Sequence, residues 1–143
     1  MLGFLLNEID RFVGIVDDDI DITALFHDAL CENIDGICVV AFNDPITAFE
    51  HFTDNKKSYV LFISDLRMPG LNGLELLKKV KSSNSNVRTI LMSAYNFEEE
   101  KLFQKYMKDR VIDSTIEKPV TIQRLCHRVR NELQVYQLGL NLN

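Results

Sequence analysis

The chain has 143 residues, 46% of them hydrophobic, and a formal net charge of −5. This length and composition predict one globular domain with a hydrophobic core and exclude an intrinsically disordered chain. The acidic balance and the lack of a basic face disfavour direct binding of nucleic acid by this segment, and no apolar run is long enough to insert into a membrane.

The cysteine content bears on the cellular compartment. Cys31, Cys38 and Cys126 follow no metal-binding or redox spacing, and their apolar neighbours predict three buried thiols. An odd number of cysteines without a disulfide framework favours a reducing environment. The run from Leu2 to Leu6 is too short for a secretion signal and follows no basic residues. We therefore expect a cytoplasmic protein, or the cytoplasmic part of a longer one.

Apolar runs alternate with amphipathic stretches along the chain, after a short amphipathic extension at residues 1–10. The runs are short and bounded by polar or turn-forming residues, which is typical of buried strands. The five predicted strands are Phe12–Val16, Ile37–Phe42, Tyr59–Ile63, Val87–Met92 and Val111–Ile116. The fifth is the weakest, because Asp113 and Ser114 interrupt it.

Five amphipathic helices are predicted after these strands. The second begins at the cap Asn43-Asp44-Pro45, the fourth at the capping-box pair Asn96 and Glu99, and the last begins near Thr121 and extends to Leu138. Helical spacing predicts which apolar side chains face the core. They include Leu25, Phe26, Ile46, Phe49, Leu74, Leu77, Leu102, Phe103, Ile122 and Leu125.

Alternation of apolar strands with amphipathic helices is typical of a parallel sheet covered on both faces, with right-handed crossovers. The predicted fold class is α/β, a single doubly wound sheet of five parallel strands in the order 2-1-3-4-5. We assign residues 11–138 to this domain and residues 139–143 to a C-terminal tail or linker.

Polar residues follow all five predicted strands; the second strand gives only Asn43 and Asp44, and the other four give the candidate site residues. Asp17 and Asp18 follow the first strand, Asp65 the third, Ser93 the fourth and Lys118 the fifth. In an open sheet of this kind, ligands bind beyond the carboxyl ends of the strands, where the strand order reverses. With the order 2-1-3-4-5 the first and third strands are neighbours, so their three carboxylates are expected to converge.

Three carboxylates at close range repel one another, so such a site takes up protons or holds a cation. Mg²⁺ suits it, since carboxylates, waters and phosphate oxygens complete its octahedron. Lys118 would add a positive charge, and Ser93 would donate a hydrogen bond to a phosphoryl oxygen. Asp65, at the end of an apolar strand, is then the expected nucleophile, which forms an aspartyl phosphate.

Four segments in this order resemble the receiver domain of two-component response regulators. They are GIVDDD, LFISDLRMPGLNGLELL, ILMSAY and EKP. The resemblance extends from about Phe12 to Leu133 and implies a flavodoxin-like receiver fold. Each segment alone is a weak indication, whereas the four together at strand ends are highly specific.

The resemblance also implies roles for individual residues. The acidic pair would be Asp17 and Asp18, the phosphorylation site Asp65, the conserved hydroxyl Ser93 and the conserved lysine Lys118. The backbone carbonyl of Arg67 would be a further Mg²⁺ ligand, and the Lys118-Pro119 peptide bond would be cis, as is common in the family.

Such domains catalyse their own phosphorylation from a partner's phosphohistidine and their own dephosphorylation. The implied partner is a sensor histidine kinase or a phosphotransfer protein, and this is a signalling switch rather than a turnover enzyme. The aspartyl phosphate would alter the face formed by the fourth helix, fifth strand and fifth helix, which would engage an output domain or a second copy of the chain.

The sequence departs from the family pattern at the switch aromatic, which usually precedes the lysine by a few residues. Thr115 occupies that position, and Tyr95 is a candidate replacement. This departure keeps open an alternative, in which the domain is a degenerate receiver that acts as a phosphorylation-independent interaction module.

A second alternative is a phosphatase of the haloacid-dehalogenase type, because residues 19–23 match D-x-D-x-T. That motif, however, begins two residues beyond the strand end, and the chain has no room for a sizeable cap domain. We expect Asp19 instead to cap the first helix.

Overall fold

The structure, a computed structural model, describes residues 11–94 and 97–142. The expectations for residues 1–10, for Tyr95 and for the cap at Asn96 lie outside the described residues. Within the described ranges, strands and helices alternate as predicted. The strands are β1 (Phe12–Val16), β2 (Cys38–Phe42), β3 (Tyr59–Asp65), β4 (Arg88–Ser93) and β5 (Ser114–Glu117). The helices are α1 (Ile20–Asn33), α2 (Pro45–Asp54), α3 (Gly73–Ser83), α4 (Phe97–Lys108) and α5 (Ile122–Leu142).

The strands form one parallel sheet in the order β2-β1-β3-β4-β5, which confirms the predicted topology. Val16 at the end of β1 is opposite Ser64, and Asp65 at the end of β3 is opposite Met92. Ser93 at the end of β4 is opposite Glu117. The carboxyl ends of β1, β3, β4 and β5 therefore reach nearly the same level, and the residues that follow them meet at one edge.

Two apolar layers cover the sheet. Side chains of α1 and α5, such as Phe26 and Leu125, pack on one face, and those of α2 and α3, such as Phe52 and Leu77, pack on the other. All seven residues of β3 are buried, because this strand lies in the middle of the sheet between both layers. Its burial accounts for the continuous apolar run in the sequence.

Some predicted core positions are wrong. Leu25, Ile46, Leu102 and Ile122 are between 41% and 51% exposed. Each belongs to a helix that buries fewer of its apolar side chains than the helical spacing predicts. Cys31 and Cys38 are exposed as well, and among the three cysteines Cys126 alone is buried.

The predicted ends of several elements differ from the structure by one or two residues, and two differ by three or more. β5 begins at Ser114 rather than Val111, and α5 continues to Leu142, one turn past the predicted Leu138. Asp113, which interrupts the apolar pattern of the fifth strand, lies just before β5. Its carboxylate accepts hydrogen bonds from the N–H of Thr89 (2.9 Å) and from Nζ of Lys81 (2.7 Å).

This carboxylate is part of an ionic network at the amino ends of β4 and β5, opposite the predicted site. Arg88 Nη1 lies 3.4 Å from Asp113 Oδ1, and Arg88 Nε donates to Glu132 Oε1 at 2.7 Å. The side chains of Asp113 and Glu132 are 8% and 7% exposed. The network joins α3, β4, β5 and α5, and its buried charges are all paired.

None of the helices in the described ranges is long and apolar enough to cross a membrane.

Candidate functional site

Asp65 and Lys118 form an ion pair at the carboxyl edge of the sheet. Asp65 is the last residue of β3 and is 4% exposed. Nζ of Lys118, from the loop after β5, lies 2.5 Å from Oδ1 of Asp65. The lysine side chain is 39% exposed, so its charge is accessible from the solvent while it neutralises the buried carboxylate.

Asp17 follows β1 and is buried in a loop that is held from several sides. Its N–H donates to the carbonyl of Phe42 (3.2 Å), and its carbonyl accepts from Nδ2 of Asn43 (2.9 Å). Its Oδ1 accepts from the N–H of Asp19 (2.9 Å). These bonds fix the Asp17 carboxylate relative to the strand ends, with little freedom to turn away.

Carboxylate oxygens of Asp17, Asp18 and Asp65 all lie within 4.8 Å of one another. The pKa of Asp17 is raised from 3.8 to about 6, mainly by burial and also by the negative charges of Asp65 and Asp18. The N–H of Asp19 and the charge of Lys118 oppose this change. Three clustered carboxylates with excess negative charge are the donor set that a hard, oxygen-binding dication requires, so the residues fit Mg²⁺.

The cluster opens into a cleft of about 630 Å³. Asp17, Asp18, Asp65 and Lys118 line it, so the structure brings together four of the residues that the sequence singled out. The cleft is also lined by Asp19, Ile22, Phe26, Met92, Pro119 and Val120. It is open to solvent and is bordered by both charged and apolar groups.

Ser93 and Arg67, two further predicted site residues, are not among the residues that line this cleft. Ser93 is the last residue of β4, is buried, and accepts the N–H of Lys118 on its carbonyl at 2.8 Å. Arg67 is exposed and lies two residues after Asp65 in the β3–α3 loop. The Lys118-Pro119 peptide bond is cis, as the resemblance implied.

The β3–α3 loop depends on two glycines. Gly70 has a φ of +90°, a conformation that glycine adopts without strain. Gly73 begins α3 and donates its N–H to the carbonyl of Leu66 at 2.8 Å. A Cβ at Gly73 would overlap the backbone carbonyl of Asp65, so the absence of a side chain lets α3 start directly behind the carboxylate.

Asp19 caps α1, as predicted. Its side chain accepts hydrogen bonds from the N–H groups of Asp21 and Ile22. Thr23 donates its hydroxyl to the carbonyl of Ile20 at 3.1 Å. The D-x-D-x-T segment thus forms the first turn of a helix, and its last two polar residues do not follow a strand end as a phosphatase nucleophile motif would.

Sequence reasoning missed two residues at the site edge. The sequence assigns Asn43 only to a helix cap after β2, although its amide braces the Asp17 loop and also donates to Thr23 Oγ1 (2.8 Å). Arg124 has no predicted role, yet its Nη1 donates to the carbonyls of Glu117 and Pro119 on both sides of Lys118. Nothing in the local sequence distinguishes Arg124 from other exposed arginines of a helix.

Thr115 lies in β5 opposite Leu91 and lines a second cleft, of about 320 Å³, between β5 and α5. The other residues that line this cleft are Ile116, Gln123, Arg124, His127 and Arg128. A small side chain at position 115 leaves the cleft open beside the edge strand. Tyr95, the candidate replacement for the missing aromatic, lies outside the described residues.

Solved structures share this architecture. A response regulator receiver domain protein from Clostridium thermocellum matches with a TM-score of 0.79 over 90% of this chain and 98% of its own, at 23% identity. The signal receiver domain of an HD domain-containing protein from Pseudomonas fluorescens matches with a TM-score of 0.78 over 93% of both chains, at 19% identity. At these identities the likeness establishes the flavodoxin-like receiver fold alone.

The sequence matches the response regulator receiver domain family over residues 13–130, and the chain belongs to that family. Members of this family interact with histidine kinases and output domains in two-component systems.

Curated relatives agree with the family. The chain is 32% identical over 81 residues to sporulation initiation phosphotransferase F of Bacillus subtilis, which covers 57% of this chain and 62% of that protein. It is 31% identical over 126 residues to the transcriptional regulatory protein FixJ of Bradyrhizobium diazoefficiens, covering 85% of this chain and 56% of that protein. The chain therefore spans less than two thirds of the length of these relatives.

Proposed function

We propose that Asp65 accepts a phosphoryl group, in a Mg²⁺-dependent reaction, from the phosphohistidine of a sensor histidine kinase or phosphotransfer protein. One observation carries the proposal: a buried carboxylate at a strand end has the Lys118 ammonium 2.5 Å away and two further carboxylates within 4.8 Å. A lone buried acid would be destabilising, whereas this arrangement provides both a nucleophile and compensating positive charge.

The carboxylates of Asp17, Asp18 and Asp65, with the backbone carbonyl of Arg67, would hold the Mg²⁺ ion. When bound, the ion would neutralise negative charge on the oxygens of the transferring phosphoryl group. Asp17 is suited to this role, because its pKa is raised by burial and by the neighbouring carboxylates, and a bound cation would stabilise its ionised form.

The chain's own residues then account for the transfer. An oxygen of Asp65 attacks phosphorus, the phosphorus–nitrogen bond of the phosphohistidine breaks, and its electron pair stays on the imidazole. Lys118 stabilises the charge on the phosphoryl oxygens, and the Ser93 hydroxyl donates a hydrogen bond to one of them. In dephosphorylation, water attacks phosphorus, the phosphorus–oxygen bond to Asp65 breaks, and inorganic phosphate leaves.

The output of the switch is proposed to be the face formed by α4, β5 and α5, which would bind an output domain or a second copy of the chain. Lys118 links this face to the site, since it lies between β5 and α5 and pairs with Asp65. A kinase partner of this kind acts in the cytoplasm, and we propose the same location for this domain.

The decisive experiment is incubation with acetyl phosphate with and without Mg²⁺, followed by intact mass measurement. We expect one added phosphoryl group only with Mg²⁺, and none in Asp65→Asn. Asp19→Asn is the matched control: it removes another carboxylate from the same cleft, and asparagine caps a helix as well as aspartate does. We expect this control to be phosphorylated like the wild type.

The interaction module remains the competing function, because Thr115 replaces the switch aromatic. No mass gain under any condition, together with unchanged partner binding by Asp65→Asn, would establish it in place of phosphorylation. Loss of a phosphatase activity in Asp19→Asn, but not in Asp65→Asn, would instead support a phosphatase of the haloacid-dehalogenase type.

A further inference from the structure

Arg124 contacts the loop that carries Lys118. Its Nη1 donates to the carbonyl of Glu117 at 3.0 Å and to the carbonyl of Pro119 at 3.2 Å. These two carbonyls belong to the residues immediately before and after Lys118. We propose that Arg124 is a positioning residue, which holds the Lys118 backbone so that its ammonium reaches Asp65. This role rests on the proposed phosphorylation of Asp65.

Lys118 needs such support because its side chain is long and partly exposed. A lysine side chain loses much conformational freedom when its ammonium is confined to one place. At its backbone, the N–H of Lys118 donates to the carbonyl of Ser93 at 2.8 Å, which fixes one side of the residue. One bond from Arg124 reaches the peptide group between Glu117 and Lys118, which also contains that N–H, and the other reaches the carbonyl of Pro119, so the backbone is held before and after Lys118.

The location of Arg124 argues against a simple role in helix stability. It is the third residue of α5, and a positive charge in the first turn of a helix is unfavourable with respect to the helix dipole. Both of its acceptors lie outside α5, in β5 and the following loop. The N-terminal capping bond of this helix is made separately, because Thr121 Oγ1 accepts the N–H of Arg124 at 3.2 Å.

Arg124 also lines the 320 Å³ cleft beside β5, together with Thr115 and Arg128. It therefore touches both the surface of the proposed output face and the loop of Lys118. With a threonine in place of the switch aromatic, this guanidinium provides a direct physical connection between that surface and the phosphorylation site.

The test is a double-mutant cycle with acetyl phosphate as donor and the initial rate of mass gain as readout. We expect Arg124→Ala to slow phosphorylation about three- to tenfold, but less than about twofold when Lys118 is already alanine, because coupled residues are not additive. Arg128→Ala is the matched control, an arginine of the same cleft and helix without a bond to the loop, and should stay within about twofold of wild type. Arg124→Lys retains a cationic donor and should recover part of the rate.

A second readout does not depend on phosphorylation. Hydrogen exchange of the Lys118 amide, measured by NMR, should be faster in Arg124→Ala than in the wild type, and unchanged in Arg128→Ala. If the wild type takes up no phosphoryl group, the proposed function fails while this comparison still tests the positioning role. The proposal would be overturned if Arg124→Ala slowed phosphorylation equally in both Lys118 backgrounds, or if it left the phosphorylation rate at the wild-type value. Unchanged hydrogen exchange of the Lys118 amide in Arg124→Ala would also overturn it.

Discussion

Replacing Asp17 with asparagine should make the metal-free protein more stable, although it removes a proposed metal ligand. Asp17 is 5% exposed and its pKa is raised to about 6, mainly by burial and also by the charges of Asp65 and Asp18. At neutral pH the folded state must therefore hold an ionised group that prefers to be neutral. Asparagine removes that charge and can still accept the hydrogen bond from the N–H of Asp19.

The magnitude follows from linkage between ionisation and folding. A pKa raised from 3.8 to about 6 lowers the free energy of unfolding by about 3 kcal/mol above pH 7, at about 1.4 kcal/mol for each pKa unit. Below pH 3.8 the group is protonated in both states and contributes nothing. Stability is lost as the pH rises from 3.8 through 6, so the advantage of Asp17→Asn should be about 1.6 kcal/mol at pH 5 and about 3 kcal/mol at pH 8.

Urea unfolding in the presence of EDTA, followed by circular dichroism between pH 5 and pH 8, measures this difference. Asp18→Asn is the control, because Asp18 is exposed and solvent screens its charge, so its effect should stay below about 1 kcal/mol. Mg²⁺ should stabilise the wild type and narrow the gap to Asp17→Asn. A less stable Asp17→Asn at pH 7 without metal, or an advantage that does not grow with pH, would refute the reasoning.

Two further predictions concern residues around the site and at the opposite edge of the sheet. Asp113→Ala leaves two partly buried cations without their shared carboxylate and should lower the free energy of unfolding by about 3 kcal/mol in urea titration, whereas exposed Asp109→Ala should change it by less than about 0.5 kcal/mol. Gly73→Ala pushes a methyl group against the carbonyl of Asp65 and should both destabilise the fold and slow phosphorylation by acetyl phosphate. Gly139→Ala, in a helix with open space around it, should instead raise stability by about 0.5–1 kcal/mol; equal behaviour of the two alanines would contradict the steric argument.

Local patterns in the sequence predict the sheet and most of the site residues. The alternation of apolar runs with amphipathic stretches specifies parallel strands covered on both faces, and parallel strands align their carboxyl ends. Asp65 is the last residue of its strand in the structure, and Asp17 and Lys118 directly follow theirs, so their convergence depends only on strand order. Right-handed crossovers reduce the number of possible strand orders, and the resemblance to receiver domains favours the order 2-1-3-4-5 among them.

Other features depend on how helices sit over the sheet, which local patterns do not encode. Leu25 and Ile46 match the helical spacing of core residues but lie just outside the stripes that touch the strands. In the sequence Asp113 only interrupts an apolar run, because its partners, Lys81 and Arg88, are distant along the chain. Arg124 is similar, since its partners are backbone carbonyls that the sequence does not show.

The backbone conformation at the end of α4 is another feature that the residue types do not predict. Arg110 follows this helix with a φ of +62°, where glycine is the usual residue. The N–H of Val111 donates to the carbonyl of Tyr106 (2.8 Å), and the N–H of Arg110 to that of Met107 (3.1 Å). Two local backbone bonds of the kind that usually accompany a glycine therefore close this helix around an arginine.

The ion pair between Arg88 and Glu132 has a mechanical consequence for α5. Glu132 is tied to the sheet near the middle of this helix, while Arg124 is tied to the Lys118 loop, about 12 Å away at 1.5 Å per residue. From Glu132 to Leu142 the helix extends about 15 Å in the other direction. If the helix tilts as a rigid rod, Glu132 is its pivot, and the two arms have nearly equal length. A displacement of the loop beside Asp65 would then move the far end of α5 by a similar distance in the opposite direction.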